Sequence, residues 1–246
     1  MAAAANFAVV IPMYNEQTGA EDCIRRVCQA LSKISDCSKL LVVDDGSADA
    51  TGAILDRLAP SFTNLQVIHH PRNCGYGAAL RTGAAAASAA SFDYVLFMDS
   101  DLTNDPADLP KFVAKMQSGF DVIKATRYSG GGGASGVPFY RVAISALGNR
   151  LARLLFRLPL HDCTNGFRAI RTSLLARMRL TEDRFPLIME ELYWSKFMAQ
   201  SFAEVPVTLT HRKQGLRPTS FVYRPRAFYD YLKYPILAFL RIKPRA

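Results

Sequence analysis

Short apolar runs alternate with longer amphipathic stretches through the first half of the chain. The runs are 7–13 (FAVVIPM), 40–44 (LLVVD), 65–70 (LQVIHH), 94–99 (YVLFMD) and 120–126 (FDVIKAT); the first, second and fourth are almost unbroken by polar residues. That is the pattern of strands covered on both faces. The intervening segments 17–35, 49–59, 75–90 and 107–117 predict helices, with Asp49 and Asn73 as N-caps and Asn104-Asp105-Pro106 opening the fourth. Such alternation predicts an α/β fold: a mostly parallel, Rossmann-like sheet flanked by helices.

The rhythm breaks after 127. SGGGGASGVP (129–138) is a glycine-rich loop too flexible to hold one conformation unaided. A basic helix is predicted over about 139–157, then the turn HDCTNGFRAI (161–170), a helix at 187–201 and a strand at 203–209. The tail places Phe228, Leu232, Ile236, Phe239 and Leu240 on one helical stripe among basic residues, with Pro235 bending or dividing that helix. The simplest division is residues 1–223 as one catalytic domain (1–127 and 128–223 as its halves) and 224–246 as an amphipathic tail.

Three predicted strands end in polar residues: PMYNE (12–16), VVDDGS (42–47) and MDSD (98–101). In a parallel sheet these ends share one edge, where open α/β sheets bind ligands. Asp99 and Asp101 stand at i and i+2 of an extended chain and so point the same way. Paired there, they make an oxygen cage for Mg²⁺ or Mn²⁺ shared with phosphate oxygens. A D-x-D pair alone also fits a solvated turn; its position after VLFM and opposite VVDDGS favours the cage. The adjacent acids Asp44 and Asp45 exceed what a βα turn needs, and an aspartate there can accept from a nucleobase ring N–H. NCGYGAALRTG (73–83) has the wrong spacing and position for a dinucleotide fingerprint, so Gly75 and Gly77 are read as tight strand-to-helix packing.

Charge adds a partner. The 246 residues carry a formal +9, and seven basic residues against one acid put +6 of it between Leu216 and Ala246. An anionic partner follows, either phosphorylated or a membrane surface. The five cysteines form no CxxC pair, which points to a reducing cytosol without disulfides or a zinc framework. No signal peptide is expected, and no apolar run approaches the eighteen or so residues of a membrane span. Nucleic acid is not expected, because the basic residues are not interleaved with aromatics along a groove.

VVIPMYNE, VVDDGSADATG, NCGYGAALRTG and MDSDL resemble the nucleotide-sugar half of family 2 glycosyltransferases, which have the GT-A fold. TRYSGGG, PFYRVAIS, DCTNGFRAIR and THRKQG resemble the narrower group of polyprenyl-phosphate enzymes of the dolichol-phosphate mannose synthase type. The resemblance spans about residues 6–217. It implies a GT-A sheet with acceptor-binding C-terminal elements and places Pro12, Tyr14, Glu16 and Asp45 on the nucleoside, with Asp44 beside them. It further implies Asp99 and Asp101 on the metal, with Asp101 catalytic. Arg127, Arg141 and Ser145 would hold the acceptor phosphate, the two arginines in a catalytic role, and Arg212 would reach the nucleotide phosphates. Two departures stand out. Thr103 occupies a position where the family often has a glutamine metal ligand. Leu216-Arg217-Pro218 replaces a G-x-S-K continuation after Gly215, so Arg217 is the candidate for the missing lysine's phosphate contact.

The implied reaction is inverting transfer of a hexose from a nucleotide-sugar donor to a lipid-phosphate acceptor, dolichyl or undecaprenyl. A phosphate acceptor is already an anion and needs no general base, while arginine suits its clamping. The enzyme is expected to lie peripherally on the cytoplasmic membrane face; the partner expectation also admits a separate membrane-anchoring subunit. Two rival readings remain at this level. A sugar-hydroxyl acceptor would need a carboxylate base, for which Glu190 and Glu191 are candidates. The other is a nucleotide-binding or nucleic-acid-binding protein without transferase chemistry.

Overall fold

The computed structural model describes residues 6–34, 37–137, 139–211 and 225–244. Among these the helices are α1 (Ala20–Ser32), α2 (Thr51–Leu58), α3 (Tyr76–Ala89), α4 (Leu109–Gln117), α5 (Phe139–Phe156), α6 (Thr172–Leu175), α7 (Leu187–Met198) and α8 (Pro225–Phe239). The strands are β1 (Phe7–Met13), β2 (Lys39–Asp44), β3 (Leu65–His69), β4 (Tyr94–Phe97), β5 (Val122–Thr126), β6 (Gly133–Ala134), β7 (Arg168–Arg171), β8 (Phe202–Pro206) and β9 (Thr208–Leu209). Seven strands form one sheet in the order β3-β2-β1-β4-β7-β5-β8, and β6 pairs with β9 in a small second sheet.

The apolar runs set the middle of the sheet. Every residue of β1 and β4 is buried, and alternate positions feed two cores, one on each face. Val9 and Ile11 meet α1 and α4 on one face, whereas Ala8 and Val10 meet α3, α5 and α7 on the other. Each fully buried aliphatic or aromatic side chain contributes about 1.5 to 3 kcal/mol. The two outer strands of the first half run parallel to β1, with Met13 beside Asp44 and Asp44 beside His69. The chain then returns to add β4 on the other side of β1. That reversal opens a crevice at the carboxyl ends of β1 and β4.

β7 breaks the parallel rule. It runs antiparallel to both β4 and β5, so the loop that enters it arrives where the parallel strands leave. The predicted turn at 161–170 is thereby delivered to the crevice. β7 also inserts charge into the sheet. Arg168 is fully buried over the Phe97 ring, 4.4 Å from its centroid, and forms a two-point ion pair with Glu191 of α7. Beside it on β5, the buried Lys124 donates to the Asn165 carbonyl at 2.7 Å.

Several local expectations change. Asn73 does not cap α3: the helix begins after Gly75 with no side-chain cap of its own, and the Asp45 carboxylate accepts from the Cys74 and Gly75 N–H groups instead. Asp105 does open the fourth helical segment, accepting from the Ala107 N–H ahead of a 3₁₀ turn at Pro106–Asp108. Gly75 and Gly77 pack tightly, but against the segment 182–184 rather than a strand; a Cβ on either would overlap its backbone. The helix-to-strand contact falls to Gly83, whose missing Cβ makes room for Val10. The glycine-rich loop is pinned by β6–β9 pairing and by Ser129, which donates to Glu204. α8 continues through Pro235 as a single helix and packs back on the body, burying Tyr234 and Ala238 among α5 and α7.

Burial, and then the nearby Arg168 charge, pull the Lys124 ammonium down to about 8. An unfolded lysine holds its proton to about pH 10.4. Below pH 8 both states are protonated, and above it only the unfolded state is, so this group adds stability as pH rises. The slope approaches about 1.4 kcal/mol per pH unit. Urea unfolding of wild type and Lys124→Met at several pH values should show the difference between them growing in favour of wild type from pH 8 to 10. A pH-independent difference would refute the assignment.

Candidate active site

A cavity of about 560 Å³ lies at the crevice. Its floor is built from the three strand ends: Pro12 near the end of β1 with Tyr14 and Glu16 after it, Asp45 after β2, and Asp99, Ser100 and Asp101 after β4. The β1 segment is laced to the turn after β2. Asn15 and Glu16 donate their backbone N–H groups to the Ser47 and Thr51 hydroxyls at 2.9 and 2.8 Å, and Ala48 N–H donates to the Asn15 side chain. Asn15 itself adopts a positive φ of 53°, a turn conformation that asparagine tolerates.

The adjacent aspartates face different ways. Asp45 lines the cavity and also accepts from His70 at 2.7 Å. Asp44 is outside the lining; it takes the Ser47 N–H and contacts His69 at 2.9 Å, so it braces the β2 turn. Strand alternation separates the two, with only one side of the strand end open to a ligand.

At the end of β4, Tyr76 donates to Asp99 at 3.0 Å, and the Thr103 hydroxyl donates to Asp101 at 2.8 Å. Burial, and then the Asp99 charge, push the Tyr76 phenol well above its ordinary value, so it stays a donor. Thr103 thus contributes its hydroxyl to the carboxylate cage. Gly166, from the loop entering β7, faces the same carboxylate, and a Cβ there would lie 2.9 Å from Asp99 Oδ2.

The remaining wall was not foreseen from sequence. The segment before α7 brings in Arg184 and Phe185, α7 itself Ile188, and α8 Tyr231. Phe185 stacks on Tyr76 with ring centroids 4.6 Å apart and 28° between planes. Arg81 donates to the Glu182 carbonyl and Asp183 carboxylate, while Tyr234 donates to Glu182 at 2.7 Å. No local motif marks these residues, because their grouping depends on contacts across about fifty to a hundred positions.

The residues assigned to the acceptor fall into three groups. Arg127 does not line the cavity. Its guanidinium forks onto Asp162 at 2.6 and 2.9 Å and donates to the Thr164 hydroxyl, and Thr164 does line it. Burial would raise the Asp162 carboxyl, but the bonds and charge of Arg127 outweigh it and hold Asp162 below the ordinary carboxylate range. Ser145 on α5 accepts from the Tyr128 hydroxyl at 3.0 Å, and Arg141 lies in the first turn of the same helix. Arg212 and Arg217 lie outside the described residues.

Neither glutamate proposed as a base reaches the cavity. Glu190 accepts from the Thr181 N–H and hydroxyl and from the Glu182 N–H. Glu191 is held by Arg168. Both are buried frame residues.

Comparison with known proteins agrees with this architecture. The model of glycosyl transferase family 2 matches residues 8–179. A polyprenol monophosphomannose synthase of Mycolicibacterium smegmatis is 31% identical over 216 residues, covering 86% of this chain and 80% of that protein. A dolichol-phosphate mannosyltransferase of Pyrococcus furiosus is 31% identical, and an undecaprenyl-phosphate 4-deoxy-4-formamido-L-arabinose transferase of Salmonella choleraesuis 28%. The matches cover 84% and 90% of this chain but only 57% and 65% of those longer proteins. Among solved structures, glucosyl-3-phosphoglycerate synthase of Mycobacterium tuberculosis shares the fold. Its TM-score is 0.68 at 22% identity, covering 100% of this chain and 84% of that one. The sheet order, the cavity at the strand ends and a family match over most of the chain lead to one assignment: the protein belongs to glycosyl transferase family 2 and is a glycosyltransferase.

Proposed function

We propose that the protein transfers a hexose, with inversion and with a divalent cation, from a nucleotide sugar to a polyprenyl phosphate. The observation that carries the acceptor assignment is the state of Glu190 and Glu191. Both are buried in hydrogen bonds that hold the frame, so neither is poised to deprotonate a sugar hydroxyl. A lipid phosphate needs no such base. The relatives named for polyprenyl, dolichyl and undecaprenyl phosphate support the same class.

Asp99 and Asp101 would hold Mg²⁺ or Mn²⁺. Their donor set is all oxygen, as a hard cation requires, and glycine at 166 preserves the space beside Asp99. The solved M. tuberculosis enzyme was crystallised with Mn²⁺ and UDP-glucose. When bound, the cation neutralises charge gathering on the departing diphosphate. The chain's own residues do the rest. Asp45 accepts from the nucleobase, Pro12, Tyr14 and Glu16 line the nucleoside's side, and Arg184 faces the phosphates at the cavity mouth. Arg127 positions Thr164 through Asp162, while Arg141 and Ser145 on α5, with Arg212 and Arg217, serve the phosphate groups.

A membrane surface would present the acceptor. Among the described residues no helix is long and apolar enough to cross a membrane. Instead, Tyr140, Ile144, Leu147, Leu151 and Leu154 form an exposed stripe on α5, at spacings of four and three that keep one face. α8 and the turn after it add exposed Ile236, Phe239, Leu240 and Ile242, and Arg157 stacks over Phe239 to join the two helices. Exposed Arg150, Arg153, Lys233, Arg241 and Lys243 flank these residues. Apolar residues within a basic rim match an anionic bilayer surface, which attracts each basic group by about 1 kcal/mol. The docking face therefore includes α5 as well as the tail.

Three measurements test this reading. Incubation with labelled nucleotide sugars and a polyprenyl phosphate should yield chloroform-extractable label that depends on Mg²⁺ or Mn²⁺ and drops by about a thousandfold in Asp99→Asn or Asp101→Asn. Label on free oligosaccharide instead would establish the hydroxyl acceptor. Gly166→Ala should raise the cation concentration needed for half-maximal activity about tenfold with little change in Tm, through a displaced Asp99; an unchanged cation dependence would separate Gly166 from the metal. Leu147→Glu with Leu154→Glu should abolish pelleting with anionic vesicles while activity on a short, water-soluble lipid phosphate persists. Undiminished pelleting would remove α5 from the membrane face.

A further inference from the structure

Outside the carboxylate cage, one group of side chains among the described residues carries a different ligand chemistry. Asp45, His70 and Cys74 each offer a ligand atom, and these atoms lie within 4.8 Å of one another. Asp45 is buried in the cavity lining, His70 is largely covered, and Cys74 is exposed. Three unrelated pieces of chain meet here: the end of β2, the residue after β3 and the approach to α3. We propose that this cluster is a second metal site, one that takes a thiophilic divalent cation of the Zn²⁺ class and closes the nucleoside end of the cavity when filled.

The donor set separates it from the carboxylate cage. A thiolate, an imidazole and a carboxylate match borderline-soft Zn²⁺, whereas two carboxylates match Mg²⁺ or Mn²⁺. Three protein ligands leave a fourth position open to water. Supporting bonds are already in place. His70 Nδ1 faces Asp45 at 2.7 Å, and its Nε2 stands 2.9 Å from the Thr82 hydroxyl. Thr82 can accept from Nε2–H, fixing the tautomer that leaves Nδ1 bare for a metal. The Asp45 carboxylate is held by the Cys74 and Gly75 N–H groups at 2.9 and 2.8 Å, so the ligand is oriented before any ion arrives. The Cys74 thiol donates to the Arg72 carbonyl at 3.4 Å.

The step balances simply. The cation binds Asp45 oxygen, His70 Nδ1 and Cys74 sulfur. The Cys74 thiol loses its proton to solvent, and a neutral His70 moves its proton from Nδ1 to Nε2. One proton is released per ion. An Asp45 that neutralises a cation no longer offers a free acceptor to a nucleobase, so donor binding weakens. The occupancy of the site is independent of the proposed function; only this last consequence rests on it.

Co²⁺ alone is the probe, added to the intact protein in buffer with a non-thiol reductant. One equivalent should give the ultraviolet thiolate-to-cobalt charge-transfer absorption in wild type, in Cys37→Ser and in Asp99→Asn. The band should vanish in Cys74→Ala, whose exposed side chain is dispensable for folding, and bind about tenfold or more weakly in His70→Gln. No charge-transfer band in wild type, or one that survives Cys74→Ala, overturns the site. Zn²⁺ should then weaken nucleoside diphosphate binding in wild type and leave Cys74→Ala unaffected. A site that fills without weakening that ligand confirms the metal and moves the base away from Asp45.

Discussion

The buried pair Arg168–Glu191 is the constraint on which the catalytic end of the molecule depends. It sits inside the sheet, with both side chains almost entirely excluded from water. Removing one partner would strand a charge at a cost of about 3 to 5 kcal/mol. The pair does more than satisfy itself. Arg168 also donates to the Gly166 carbonyl at 2.7 Å, and Lys124 takes the Asn165 carbonyl at the same distance. Two buried cations thus draw the backbone of the 165–166 turn onto the sheet, and that turn forms the face opposite Asp99. The geometry of the two carboxylates is set from beneath by charges that do not line the cavity.

A second set of contacts governs the opposite wall. Glu190 accepts from the Thr181 and Glu182 N–H groups and fixes the start of the 181–185 segment, and Arg81 and Tyr234 hold its middle. Phe185 then stacks on Tyr76, which in turn donates to Asp99. The wall, the aromatic stack and the cage form one connected structure, and α8 is part of it through Tyr231 and Tyr234. The helix facing the lipid surface in the proposed function is therefore also a wall of the cavity.

Much of this was legible in sequence where the signal is local. The five apolar runs of the first half became strands close to their expected bounds; four of them are continuously buried, as consecutive apolar residues dictate, whereas β3, at the sheet edge, is only partly covered. The convergence of 12–16, 42–47 and 98–101 was legible for the same reason, since parallel strands share an exit edge. β7 was less so: RAIR is short, and its first residue is an arginine that burial alone would exclude. It is admitted only by Glu191, twenty-three residues away. The same distance effect redirected Arg127, whose partner Asp162 is thirty-five positions downstream, and the glutamates of α7, which are buried in hydrogen bonds away from the cavity. Arg184, Phe185 and Tyr231 had no signal, because nothing near them in sequence resembles a site.

α3 separates the sheet from the 181–185 wall, and its composition sets how far apart they stand. On one side Gly83 lets Val10 into the helix surface; on the other Gly75 and Gly77 bring the backbone of 182–184 into contact. Seven of the fourteen residues of the helix are alanine. The helix is a shim, cut to the thickness of bare backbone. A single added methyl at either surface would widen the slot by lifting one wall. The width available to a flat ring between strand ends and wall is therefore recorded in the smallest side chains of the protein, and tolerance to substitution along α3 should follow dimension rather than polarity.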